Sequence, residues 1–224
     1  MFVFNNISSV DMQIIVEEED QFLGRASQRY ARTEIEGRDG ALFEEQGYTT
    51  IDRQIMIQIL NTEKLDQIIA WLNGMGILEY KGRITKARFY NEINPVRTAN
   101  IKTADVSFTR DPFWTKKRDE FIDVTNTVIN EGTIYAKPII ELKKNTSNSI
   151  DITVNDVRFI YNFNNEEYGI IDCEEKSAEY DGNNRNRQLE IGYKFPTIQP
   201  GENKIIVHSG DAEIFIKRKD RWLW

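Results

Sequence analysis

The chain has 224 residues, 40% of them hydrophobic and 29% charged, which fits a folded protein and excludes a disordered one. Its net charge of −7 is spread evenly, with 16 basic and 19 acidic side chains in residues 1–120 and 13 and 17 in residues 121–224. No basic domain is present to neutralise phosphates, which argues against nucleic acid as the main ligand, and a single cysteine, Cys173, excludes an intrachain disulfide.

The first residues, Met1-Phe2-Val3-Phe4-Asn5-Asn6, lack the charge and the apolar core of a secretory signal. No apolar run approaches the ~20 residues that span a bilayer. The expectation is a soluble protein made in a cytoplasm, with no membrane insertion. Met12, Ile14 and Val16 alternate as a short strand that ends in the acidic turn Glu17–Asp20. Arg25, Arg29 and Arg32 then lie in a polar segment with weak structural signals, readable as an arm or a loop. Gly37-Arg38-Asp39-Gly40 reads as a turn or a bulge, because glycine tolerates positive φ.

Ile51, Ile55, Ile57 and Ile59 share one face at period two, the clearest strand of the first half. Leu65, Ile68, Ile69 and Leu72 form one helical stripe, capped by Asn61 or Thr62 and stopped by Gly74. Trp71 beside it either packs on the sheet or meets another subunit. Gly74-Met75-Gly76 reads as a loop. Ile77–Tyr80 and Ile84–Tyr90, split by Lys81-Gly82-Arg83, read as a hairpin. Ala104, Val106 and Phe108 alternate in a strand that ends before Pro112. The charged run Lys116–Glu120 sets a domain boundary, giving domains 1–120 and 121–224.

The second half is dense in strands. Ile134–Leu142 contains Pro138 and is expected at an edge or a bulge. Ile150, Ile152 and Val154 turn through Asn155-Asp156 into Val157–Tyr161. Tyr168–Glu174, Leu189–Phe195, Lys204–His208 and Ala212–Lys217 follow. Short strands without helices between them indicate a β-sandwich or jelly roll.

Chemistry is sparse in this sequence. Cys173 lies in an apolar stretch and reads as a small buried hydrophobe. One histidine, His208, and one cysteine exclude the usual structural zinc site. Asp181-Gly182-Asn183-Asn184 is a polar turn without the ligand spacing of a calcium loop. Glu174 and Asp181 lack the context of a glycosidase pair. No catalytic residue, metal site or cofactor is expected, and the protein is not read as an enzyme. Trp222 and Trp224 would share a face of a last strand. They would close the core, stack on a sugar, or meet another subunit.

Several motifs, taken in order, resemble the distal tail proteins of long, non-contractile-tailed phages, the phage tail component family. They are Phe2-Val3-Phe4-Asn5-Asn6-Ile7-Ser8-Ser9, Glu36–Ala41, Asp52-Arg53-Gln54-Ile55, Trp71-Leu72-Asn73-Gly74 and Phe108–Phe113. In the second half they are Gly132–Pro138, Ile171-Asp172-Cys173-Glu174, Phe195-Pro196 and Pro200-Gly201-Glu202-Asn203. The resemblance implies a mainly β chain with one short helix. An N-terminal belt domain, a β-sandwich or split barrel, would precede a galectin-like β-sandwich. It further implies a virion protein at the distal end of the tail, built as a homo-hexameric ring. The ring would join the tail tube protein to the tail-tip hub protein of the baseplate, and to a receptor-binding protein. A closed heterologous ring needs two different faces per subunit. Arg38, Asp39, Arg53, Ile55, Ile57 and Trp71 are the candidate ring contacts, and Trp222 and Trp224 the candidate partner or glycan surface. The alternative function is an adhesion module for host cell-wall glycans.

Overall fold

The computed structural model describes residues 1–98 and 101–224. The chain forms two compact units, Met1–Lys117 with Leu223–Trp224, and Arg118–Trp222. The fold is mainly β, with one short α-helix among the described residues. Among the described residues no helix is long and apolar enough to cross a membrane.

The first unit is organised by an antiparallel sheet. Its strands run in the order Ile7–Ser8, Phe2–Phe4, Gly74–Tyr80, Arg83–Phe89, Ile101–Arg110, Ile51–Ile59 and Ile14–Val16. Period-two patterning decides which face is buried. Ile55 and Ile57 face the core directly opposite Val106 and Ala104. A one-residue slip would turn all four to solvent, so burial fixes the register. Aromatic rings fill the space above this face. Phe22 lies 5.1 Å from Phe2 and 5.6 Å from Phe108, and Phe89 lies 4.7 Å from Phe4 and 5.2 Å from Phe108.

The helix Leu65–Trp71 closes one side of this core. Its apolar stripe is rotated from the expected one: Ile68, Trp71 and Leu72 are buried, while Ile69 is exposed. Trp71 decides the rotation. Its ring stacks on Phe2 at 5.4 Å, and its Nε1–H donates to the Phe4 carbonyl at 2.8 Å. An indole with its polar edge satisfied contributes more buried area than an isoleucine. Asn61 Oδ1 accepts from the Glu63 amide at 2.9 Å, capping the 3-10 turn Thr62–Lys64 that leads into the helix.

Two expectations need correction and a third is resolved. Gly74-Met75-Gly76 is not a loop but the start of the strand Gly74–Tyr80, with Gly74 at φ +83 making the sharp exit from the helix. Of the arm or loop expected for the arginine-rich segment, the arm is what forms. Gln28–Glu34 is a strand paired with Ala41–Tyr48 around the tip at Gly37–Gly40. Pro138 marks neither an edge nor a bulge. It immediately precedes the strand Ile139–Lys144, which is paired on both sides and needs no amide from the proline.

The second unit is a two-sheet sandwich. One sheet runs Ile122–Asp123, Ala212–Lys217, Ile139–Lys144, Tyr168–Asp172, Ser177–Tyr180 and Asn183–Asn184. The other runs Thr127–Asn130, Gly201–Ser209, Ser149–Val154, Val157–Asn162 and Leu189–Ile191. Ile140, Leu142, Ile171 and Ile216 from the first meet Ile150, Ile152, Phe159 and Tyr161 from the second in one core. Cys173 belongs to this core, and burial pushes its thiol pKa up, away from nucleophilic chemistry.

Two buried asparagines pin the connections of the sandwich. Asn203 Nδ2 donates to the Gln199 and Gly201 carbonyls, both at 2.8 Å, and its Oδ1 accepts from Asn155 Nδ2 at 2.8 Å. Asn130 Nδ2 donates to the Ile134 and Ile198 carbonyls at 3.1 and 3.0 Å, and its Oδ1 accepts from the Gly132 amide at 2.7 Å. The Pro200–Asn203 motif is therefore a structural device. Gly201 takes φ +89, and Asn203 satisfies the turn from inside.

Candidate interaction surfaces

Among the described residues no group of His, Cys, Asp and Glu could hold a metal ion. The most unusual surface is the arm formed by Gln28–Glu34 and Ala41–Tyr48. Among the described residues these strands pair only with each other. A lone two-stranded ribbon is marginally stable in water. The pairing Arg32↔Phe43 and Tyr30↔Glu45 puts these four side chains on one face. Tyr30 and Phe43 meet edge to face at 5.4 Å and remain 57% and 64% exposed. Leu42, on the opposite face, is 45% exposed. Apolar groups on both faces of a solvated ribbon mark a contact element rather than a finished surface.

Arg38 and Asp39 are exposed at the tip of this arm. Arg53 is half-buried at its base, where its Nε donates to the Leu23 carbonyl at 3.3 Å. Close by, Arg110 is buried, donates from Nη2 to the Gly24 carbonyl at 2.8 Å, and stacks 5.1 Å from Trp114. Burial, with Arg53 nearby, lowers the Arg110 pKa to about 10. These two arginines hold the chain at Leu23-Gly24. The alternation Ala104, Val106, Phe108 continues into Arg110 and so points it inward, a signal available in the sequence but masked by its charge.

The other candidate ring residues need correction. Ile55, Ile57 and Trp71 are buried in the core of their own unit, at 1%, 0% and 7% exposure. Period two had placed the isoleucines on one face, and that face packs inward. The outward face of the same sheet is what a neighbour could touch. On it Met75 pairs with Arg88 and Ile77 with Lys86, across the hairpin joined by Lys81-Gly82. Met75, Ile77, Lys86 and Arg88 are all exposed. Beside them Thr50, Tyr90 and Thr109 help to line a shallow cavity of about 680 Å³.

Trp222 and Trp224 do not form a shared aromatic platform. Trp222 is buried, whereas Trp224 is half exposed with its ring over the Arg83 guanidinium at 4.8 Å. The Arg83 guanidinium also donates to the Trp224 carbonyl at 2.6 Å. A sugar-stacking face built from both rings is therefore absent.

On the outer face of the five-stranded sheet, Arg158 clamps Asp151 through Nε and Nη2 at 2.9 and 2.5 Å. His208 Nε2 lies 2.7 Å from Thr153 Oγ1, in a satisfied structural pair. The hydrogen bond from Arg158 holds the Asp151 carboxyl below its ordinary pKa. A depressed carboxylate contributes stability that is present above its unfolded pKa and lost as pH falls through its folded value. Asp151→Asn is thus expected to lower the melting temperature at neutral pH. The gap to the unsubstituted protein begins to narrow as the pH falls below about 4, the ordinary carboxyl value, and closes only once the pH has passed below the depressed folded value, as a pH series of thermal melts would show. Glu174, weighed with Asp181 as an acid pair, instead joins Lys137 at 3.4 Å and the Arg221 guanidinium. Asp181-Gly182 is a tight turn with φ +48 and +72.

Comparison with known proteins follows this geometry. Residues 131–222 match the family model for the siphovirus-type tail component, C-terminal domain. No curated protein sequence matches the chain. Among solved structures, the SPP1 Dit protein, described as a hub of the adsorption apparatus in phages infecting Gram-positive hosts, superposes with a TM-score of 0.71. The alignment covers 96% of this chain and 97% of that one at 11% identity. A chain of the phage P2 baseplate in its activated conformation with calcium aligns over 94% of this chain and 92% of its own. Its TM-score is 0.44 and its identity 10%, too loose to argue from. Residues 131–222 are thus similar to the C-terminal domain of siphovirus-type tail components, and the chain shares the fold of the SPP1 Dit protein.

Proposed function

We propose that this chain is a structural protein of a long, non-contractile phage tail, a ring-shaped hub at the distal tip that joins tube to baseplate. The observation that carries the reading is the family match over residues 131–222, on a chain whose whole length follows a known hub fold. The exposed, self-paired arm supports it, because a ribbon with apolar groups on both faces needs partner surfaces. In this reading the protein is made in the host cytoplasm and assembles as a homo-hexamer at the tail end. It meets the tail tube protein on one side and the tail-tip hub and receptor-binding proteins on the other. Its role is structural rather than catalytic. Ring contacts fall on the arm, with Arg38 and Asp39 at its tip and Arg53 at its base.

Light scattering over a concentration series, with negative-stain images, tests this directly. The expected result is a particle of about six times the 26.2 kDa chain, seen as six-fold rings. Particles of another symmetry would overturn the hexamer, and binding to cell-wall glycan by the unassembled chain would favour adhesion instead.

A further inference from the structure

The arm and the groove on the outer face of the first unit are complementary in charge and both present apolar side chains. Residues 28–48 carry five carboxylates, Glu34, Glu36, Asp39, Glu44 and Glu45, against three arginines. Arg32 is already paired with Glu34. Among the described residues neither Glu44 nor Glu45 has an ion-pair partner. Each face of the arm therefore presents an apolar group with a carboxylate two residues along: Phe43 with Glu45, and Leu42 with Glu44.

The groove presents the converse pattern. Met75 and Arg88 are cross-strand neighbours, as are Ile77 and Lys86. Among the described residues neither Lys86 nor Arg88 has an ion-pair partner. Side chains directly opposite on one face sit about 4.5–5.5 Å apart at Cβ, so each apolar group lies beside a cation. Met75 is 71% exposed, unusual for so large an apolar side chain on a regular sheet.

Resting on the ring reading above, we infer that the groove lined by Met75, Lys86 and Arg88, with Ile77 beside it on the same sheet face, receives the arm of a second copy of this chain. The ring Phe43 packs on Met75 and Ile77, and Glu45 meets Arg88 or Lys86. Arm and groove are different surfaces, so the contact is heterologous and propagates from copy to copy until it closes. Apolar burial provides the attraction, and the charges fix the register and exclude wrong pairings.

Two measurements on the full chain test the contact. In the first, Phe43→Cys and Met75→Cys are combined on one chain under mild oxidation, with Cys173 left in its core. A heterologous contact gives covalent species longer than dimers only when both substitutions are on the same chain, with neither single variant giving a ladder. In the second, Glu45→Lys and Arg88→Glu are each expected to weaken assembly about tenfold or more, and the double charge swap to restore most of it. Rings without a ladder and without charge-swap recovery would overturn the arm-to-groove contact while leaving the ring reading intact, with the arm engaging another protein of the tail. A chain that stays monomeric in light scattering at every concentration, and gives no ladder, would overturn both.

Discussion

Phe108→Ala is expected to destabilise the first unit by about 3–5 kcal/mol, the usual cost of removing a buried aromatic ring. Phe108 is fully buried and touches two other rings, Phe22 at 5.6 Å and Phe89 at 5.2 Å. The three belong to separate parts of the chain: the loop before the arm, the hairpin that carries the groove, and the strand Ile101–Arg110. Their loss of contact would leave a cavity that rigid strands on either side cannot close. Domains have about 5–15 kcal/mol of stability in total, so the change removes a large share of it. Hydrogen exchange is the measurement of choice, since it reads each unit separately. Amides of Ile51–Ile59 should lose protection, while those of Ser149–Val154 keep theirs. Equal loss in both strands would show that the units do not unfold as separate bodies.

Gly210→Ala is the corresponding test of the sandwich. Gly210 sits between Gly201–Ser209 and Ala212–Lys217, where the chain passes from one sheet to the other. Its φ of +93 lies in a region that costs side-chain-bearing residues about 1–3 kcal/mol. A Cβ there would also stand 2.3 Å from the Ser149 carbonyl oxygen and 2.9 Å from the Ile150 Cα. Both obstacles are backbone of a buried strand, so the clash adds about another 1–3 kcal/mol of overpacking. The expected sum, roughly 2–6 kcal/mol, should appear as lost protection in Ser149–Val154 with Ile51–Ile59 unchanged. Gly182→Ala is the internal control. It shares the positive φ, +72, but has open space around it, so its cost should be confined to backbone strain.

The Leu65–Trp71 stripe shows where sequence reading loses precision. Four aliphatic residues at helical spacing predicted the helix correctly, yet the buried face follows Trp71, since ring stacking and an indole hydrogen bond outweigh Ile69. The arm shows a different limit. Gln28–Glu34 has neither clean alternation nor a buried face, because among the described residues its sheet partner is the equally exposed strand Ala41–Tyr48 and no core lies beneath it. A strand whose partner surface lies elsewhere leaves little hydrophobic periodicity to read. Met75 was hidden for a related reason: glycines on both sides resemble a loop, whereas Gly74 only redirects the chain into a strand.

Period-two patterning and turn chemistry by themselves determined the mainly β class, the shared face of Ile55 and Ile57 and that of Ile150 and Ile152, and the turns at Lys81-Gly82, Asn155-Asp156 and Asp181-Gly182. They could do so because burial alternates with the pleat and because tight turns demand residues that accept positive φ. Which buried-looking residues belong to the chain's own core, and which wait for another surface, was decided only in three dimensions. Ile57 and Met75 are both apolar residues in strands, and local sequence does not separate them. One packs against Ala104 and its neighbours, and the other lies beside Arg88 in the open. That difference depends on which strands lie across the sheet and on which side the helix and the aromatic rings fall, and those contacts come from segments far apart in the chain.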